Sequence, residues 1–288
     1  MNIKNFIDLH VHVGPEILPR RFTTETVSNE ERGNIRGIAL KNHFYPTTPW
    51  IKELKNSEDP LLIGSVTLNN YVGGLNPDAV YAAAKLSDRP IVVWFPTINS
   101  INFLEKNEYE IPSEWVGTGF ISRPSKNVRG ITVIDKKGKL TNEAYNVIKA
   151  IKENNCILAT GHISWQEAKL VVEAAIDRGI EKIIVTHPVY NAIAMPLEVQ
   201  NALAKNEGVY IEQNYAMYAI DKIPIERIAE SITLVKAENC IMVSDMGQVT
   251  SPKPSEALKR FSSFLESHGI QRSDIKKMGE LNPRRLIR

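Results

Sequence analysis

Phe6-Ile7-Asp8-Leu9-His10-Val11-His12-Val13 opens the chain with an apolar run that carries two histidines near its end. Read as a strand, it sets His10 and His12 on one side with Cα atoms ~7 Å apart, close enough for two imidazoles to converge on one cation. Three later apolar runs also end in a metal-capable side chain: Cys156-Ile-Leu-Ala-Thr-Gly-His162, Lys182-Ile-Ile-Val-Thr-His187 and Ile241-Met-Val-Ser-Asp245. The repetition of one device, a strand closing on a ligand, suggests both an architecture and a site.

Working outward, the runs at 6–12, 37–43, 61–68, 91–96, 156–161, 183–187, 209–213 and 241–245 make eight strand candidates. Their near-continuous hydrophobicity suits strands covered on both faces. Helical patterns lie between most of them. Asn76-Pro77-Asp78 opens a helix over 79–86, with proline in the first turn. Thr141-Asn142-Glu143 opens another that runs to about 154. Ser164-Trp165-Gln166-Glu167 is a capping box leading into 168–178, stopped by Gly179. Pro224-Ile225-Glu226 opens a helix to 238, and 255–268 ends at Gly269. This alternation predicts an α/β fold, a (β/α)8 TIM barrel forming a single domain over 1–288. The barrel is expected to be distorted, because helix signals after the first two strands are weak and 97–129 is irregular and rich in turn residues. Arg129-Gly-Ile-Thr-Val-Ile-Asp135, followed by Lys136-Lys137-Gly138, reads as an extra strand and turn, placed as an insertion between strands four and five.

Composition narrows the function classes. Lys+Arg 35 against Asp+Glu 33 leaves a net charge of +2, too balanced for a nucleic-acid footprint. No run approaches the ~20 apolar residues of a membrane span. The first five residues, Met1 to Asn5, lack the apolar stretch of a signal peptide, so a cytoplasmic protein is expected. Cys156 and Cys240 each begin an apolar run and read as reduced core residues. The expected partner is a small-molecule substrate, with neither nucleic acid nor membrane; homo-oligomerisation is left open.

In an α/β barrel, active-site side chains project from the C-terminal ends of the strands. His10, His12, His43, His162, His187 and Asp245 all fall at such ends, and these include five of the six histidines. One histidine alone is more often a hydrogen-bonded structural residue; five together point to a metal site. Neutral imidazoles and a carboxylate bind divalent first-row ions while leaving a coordination position open. Water held there becomes acidic, which provides hydroxide at neutral pH, and Asp245 suits the acceptor of its proton. Asp8 is either a second acceptor, for an imidazole N–H, or a buried carboxylate near the barrel bottom.

Lys41 and His43 share strand parity and should face one side. A lysine inside a barrel needs a partner. Three roles are open: pairing with a substrate anion, pairing with Glu16 or Asp245, or bridging two metals as a carboxylated side chain. A surface position on a misread strand is the alternative to all three. In the loop after the first strand, Arg20 or Arg21 could clamp a carboxylate or phosphate. Tyr45, Gln213, Tyr215 and Gln248 are weaker candidates, and Glu212 has the opposite parity to Gln213, so at most one of that pair faces the centre.

The ordered set His10-Val11-His12, His162, His187 and Asp245 resembles the amidohydrolase superfamily, metal-dependent hydrolases with an HxH motif on the first barrel strand, histidines after the fifth and sixth, and an aspartate after the eighth. Glu280-Leu-Asn-Pro-Arg-Arg-Leu-Ile287 is similar to the Asn-Pro-x-x-Leu helix that closes many such chains. The chain looks closest to a poorly characterised bacterial and archaeal branch with Gly-Pro after HxH and Lys-x-His on the second strand. The resemblance implies that His10, His12, His162 and His187 ligate metal and that Asp245 both ligates and acts as general acid/base. It implies one or two divalent ions, zinc foremost, with manganese, iron, cobalt or nickel as alternatives. The fourth strand, Ile91-Val-Val-Trp-Phe-Pro96, offers no carboxylated lysine or glutamate, so either the site is mononuclear or Lys41 supplies an unusual bridge. The expected activity is hydrolysis of an amide, ester, lactone or phosphoester bond by metal-bound hydroxide. A decarboxylase or isomerase of the same fold, and a non-catalytic metal-binding relative, are the rival readings; Arg20, Arg21 and Lys41 would suit an acidic substrate.

Overall fold

The computed structural model of the 288-residue chain describes residues 1–54, 58–116 and 128–288. The strands are β1 (Ile7–His12), β2 (Gly37–Lys41), β3 (Leu61–Ile63), β4 (Ser65–Thr67), β5 (Val92–Trp94), β6 (Ile157–Ala159), β7 (Ile183–Val185), β8 (Val209–Asn214) and β9 (Cys240–Val243). All pair in parallel, β1-β2-β3 in one sheet and β4 to β9 in sequence order in another. Only Gly64 separates β3 from β4, so the third strand read from sequence at 61–68 is one run that serves both sheets. A Cβ on Gly64 would meet Thr48 Cγ2 at 2.2 Å, which explains why a glycine stands at the break. At the other junction, Val11 and Met246 form a parallel bridge. Asp245 N donates to His10 O at 2.9 Å and His12 N to Met246 O at 2.7 Å.

Every strand residue is buried, as the unbroken apolar runs require. Alternate residues feed two cores. Ile7, Leu9, Val92, Trp94, Ile157, Ala159, Ile241 and Val243 belong to a small cluster built almost wholly from strands. Val93, Leu158, Cys240 and Met242 belong to the large cluster shared with the helices. The two cysteines are unpaired and buried, as expected of core residues.

The helix signals act where the sequence placed them. Asn76 caps Pro77–Lys85, Thr141 caps Asn142–Glu153, and Ser164 with Glu167 forms the capping box of Trp165–Asp177. Pro254–Ser267 ends before Gly269. Ile225–Val235 stops short of 238, and a 3-10 turn fills the remainder. After the first two strands lie short helices, Thr24–Glu31 and Thr48–Glu53. The irregular stretch 97–129 holds the helices Ile101–Lys106 and Ser113–Val116, while 117–127 fall outside the described residues. Beyond it, the expected extra strand is reduced to two bridges, Ser100 with Ile131 and Ile134 with Leu140, the latter flanking the Asp135–Gly138 turn. Among the described residues, no helix is long and apolar enough to cross a membrane.

Candidate metal centre

β1 carries a bulge. Asp8 pairs with Ile38 but Val11 with Leu40, so one extra residue sits in β1. The bulge resets parity: Ile7 and Leu9 enter the inner cluster before it, whereas Val11 enters the outer cluster after it, turning His10 and His12 inward. Asp8 therefore does not share the histidines' parity. Its Oδ1 accepts the backbone N–H groups of His10 (3.2 Å) and Ser244 (3.0 Å). It is a buried carboxylate tying β1 to the segment after β9, and burial raises it to about 7. Of the two roles open to it, the structural one holds.

His10, His12 and Asp245 offer ligand atoms that all lie within 4.8 Å of one another. Asp245 Oδ1 stands 3.2 Å from His10 Nε2 and 2.9 Å from His12 Nε2. Ligands about 2.0–2.2 Å from a shared ion sit roughly 3 Å apart without facing one another, so the three atoms fit a divalent cation. Asp245 reaches this position through a left-handed backbone (φ 56°) just beyond β9; such a conformation in a non-glycine residue is retained where its surroundings impose it. Burial alone would raise its carboxyl, but His10, His12 and Lys41 together hold it well below the usual carboxylate range.

His10 Nδ1 faces Glu212, with 3.1 and 3.3 Å to its two oxygens. Asn214 joins Glu212 Oε1 (3.3 Å) to Asp245 Oδ2 (2.8 Å). Glu212 thus orients one candidate ligand and, through Asn214, braces another. Burial opposes its ionisation, yet the attraction of His10 and their hydrogen bond lower it overall. Of the Glu212/Gln213 pair, Glu212 is the inward member. Gln213 turns outward to Ser231 (3.0 Å), so it is no site residue. The parity of β8 was visible in the sequence; the register that decides which parity faces His10 was not.

Lys41 is fully buried, not a surface residue. Its Nζ lies 2.9 Å from His10 Nε2 and 5.0 Å from the Trp94 ring centre. Burial lowers it to about 8, with Asp245 and Glu212 opposing. Trp94 occupies the inward position of the fourth strand read from sequence and packs 5.4 Å from the His10 ring.

His162 and His187 lie tilted against each other, ring centres 5.0 Å apart, and His187 stacks 5.9 Å from His10. They lie outside the three-residue cluster but line the same cavity as His12, His43 and Asp245. Their Nδ1 atoms, like that of His12, are buried and have no partner among the described residues. Burial drives His12, His43 and His162 well below the usual imidazole value and His187 to about 4, so these rings are neutral, and His12, His162 and His187 are able to ligate. The cavity is narrow in this conformation, about 20 Å³, room for roughly one water, so a larger ligand enters only as its side-chain walls move apart. Trp115, Tyr190 and Met217 supply further wall.

Arg20 and Gln248 line this cavity as well; Arg21 and Tyr45 do not. Arg21 turns to the Ser251 carbonyl and to Glu30 because its backbone parity is opposite to that of Arg20. Tyr45 is half exposed, and Tyr215 packs on Phe261, away from the site. The sequence reading missed Asp221, a cavity-lining acid that burial raises to about 7 and that accepts Trp115 Nε1–H at 3.4 Å. It follows a short helix rather than a strand, so strand-end logic could not find it.

The parallel α/β architecture is shared by solved structures of several enzymes, all of low sequence identity to this chain. An amidohydrolase from Pseudomonas aeruginosa matches with a TM-score of 0.58 and 8% identity, over 98% of this chain and 95% of that one. A β-aspartyl dipeptidase from Fervidobacterium islandicum gives 0.52 and 16%, over 99% and 73%. A 2,6-dihydroxybenzoate decarboxylase from Rhizobium gives 0.51 and 12%, over 99% and 98%. By sequence, residues 5–212 match DUF6282, a family of unknown function, and the chain belongs to that family. No curated protein matches it.

Proposed function

We propose that this protein is a metal-dependent hydrolase. The observation that carries the reading is the convergence of His10 Nε2, His12 Nε2 and Asp245 Oδ1, all within 4.8 Å of one another and buried. These three would hold a divalent ion, zinc foremost, with His162 and His187 as further ligands and Lys41, in carboxylated form, as a bridge to a second ion. When bound, the ion polarises the bond to be cleaved and makes a water acidic. Asp245, ionised and braced by Asn214, accepts a proton at Oδ1 and returns it to the leaving group. Trp115, Tyr190 and Met217 wall the cavity against bulk water. The bond is an amide, ester, lactone or phosphoester in a small molecule. In this reading the strands close into one distorted barrel and 1–288 is a single cytoplasmic domain. The segment between β5 and β6 is an insertion.

The test is elemental analysis of the purified protein beside the double variant His10→Ala/His12→Ala. About one or two divalent ions per chain are expected in the wild type, and neither metal nor hydrolysis in the variant. A double variant with full turnover refutes the reading. A second reading, decarboxylation, is favoured by the buried cation Lys41 beside His10. Carbon dioxide release from β-keto acids, with no hydrolysis of esters or lactones, would select it.

A further inference from the structure

Glu16 joins two cavity-lining residues. Its side chain is fully buried; Oε1 pairs with Arg20 Nε, and Oε2 accepts the backbone N–H of His43 at 2.8 Å. Arg20 is itself only 3% exposed through its side chain. Its Nη2 is buried and has no partner among the described residues. With Nε engaged by Glu16, the outer edge of the guanidinium, Nη1 and Nη2, is left for a planar acceptor.

The proton on His43 can be located by counting donors. Asn69 Oδ1 accepts the N–H groups of Thr97 (2.9 Å) and Asn99 (3.3 Å), which fixes the orientation of that amide. Asn69 Nδ2 then donates to Thr97 Oγ1 at 2.8 Å. The Thr97 hydroxyl must place its own hydrogen elsewhere, and the remaining neighbour is His43 Nδ1 at 2.8 Å. Nδ1 is therefore the acceptor and the ring proton sits on Nε2. His43 thus brings an N–H to the cavity rather than a lone pair, so it is neither a metal ligand nor a base.

We infer that Arg20 and His43 form a subsite for a carboxylate carried by the substrate, with Glu16 and Thr97 as positioning residues. The charge balance favours a carboxylate over a phosphate. Glu16 already offsets the guanidinium, which leaves donors suited to a monoanion and too little positive charge for a buried dianion. Of the other acids on the cavity, Asp245 belongs to the candidate metal set, and Asp221 accepts Trp115 Nε1–H while burial opposes its ionisation.

That the anion belongs to a substrate rests on the hydrolase reading; the subsite itself does not. Protein labelled with 15N-histidine and loaded with zinc would be titrated with propionate, with its neutral isostere propionamide and with inorganic phosphate. His43 should show a protonated Nε2 and an unprotonated Nδ1, and Thr97→Val should release that preference. Propionate should shift the His43 Nε2 resonance, and propionamide should not. Arg20→Gln should weaken propionate binding about tenfold or more. Because Arg20→Gln strands a buried Glu16, the double variant Arg20→Gln/Glu16→Gln is measured beside it and should show the same loss. A proton on Nδ1, propionate binding unaffected by either variant, or tighter binding of phosphate overturns the assignment. Failure to take up metal would defeat the hydrolase reading instead, and the same titrations on metal-free protein would still judge the subsite.

Discussion

Glu212 is the residue on which the site's precision depends. It fixes the His10 tautomer by accepting the Nδ1–H, so the Nε2 lone pair faces inward, where Lys41 Nζ lies 2.9 Å away and a bound cation would compete for it. Glu212→Gln should lower zinc affinity about 10–100-fold while the fold survives; competition with a chromogenic chelator measures this, and unchanged affinity would show that His10 is oriented without it. The buried imidazoles also set how stability depends on pH. In metal-free protein His12, His43, His162 and His187 stay neutral where the unfolded chain takes up protons, below about pH 6.5. Their contribution is complete above that pH and is lost as pH falls towards about 4. Asp8 and Asp221, both raised to about 7, act in the opposite sense, holding protons that the unfolded chain has released. Four imidazoles outweigh two carboxylates, so the melting temperature of chelator-treated protein should fall between pH 6.5 and 5. A rise on acidification would mean that the carboxylates dominate.

At the scale of elements, short strands end in tight turns that aim the candidate ligands. Gly161 (φ 65°) precedes His162, and a Cβ there would lie 2.3 Å from Phe95 O. Both the left-handed backbone and the close approach require glycine. Gly161→Ala should destabilise the protein by roughly 2 kcal/mol or more, seen as a lower denaturation midpoint; an unchanged midpoint would mean the neighbouring strand yields easily. These turns explain what was legible. Capping residues such as Asn76, Thr141 and Ser164 act within a few residues of themselves, so their helices start where the sequence says. The bulge in β1 is different. It depends on the register against β2, and no local rule separates Asp8 from the histidines' parity.

For the whole molecule, a metal would act as a clasp, since His10 and His12 come from the first strand and Asp245 from just beyond the last. Binding to the folded state alone contributes about 4 kcal/mol at a thousandfold excess over Kd. Removing metal with a chelator should therefore lower the melting temperature of the wild type and leave His10→Ala/His12→Ala unmoved; equal shifts in both would place the ion elsewhere. The sequence by itself determined the alternation of buried strands and capped helices and the strand-end positions of His10, His12, His162, His187 and Asp245. Those features are written in local hydrophobic period and cap chemistry. Tertiary structure alone decided that Glu212 rather than Gln213 meets His10, that Arg20 rather than Arg21 reaches the cavity, and that Asp221 joins it. Each of those outcomes turns on register and loop path, which are fixed by packing between segments as much as two hundred residues apart, not by neighbours along the chain.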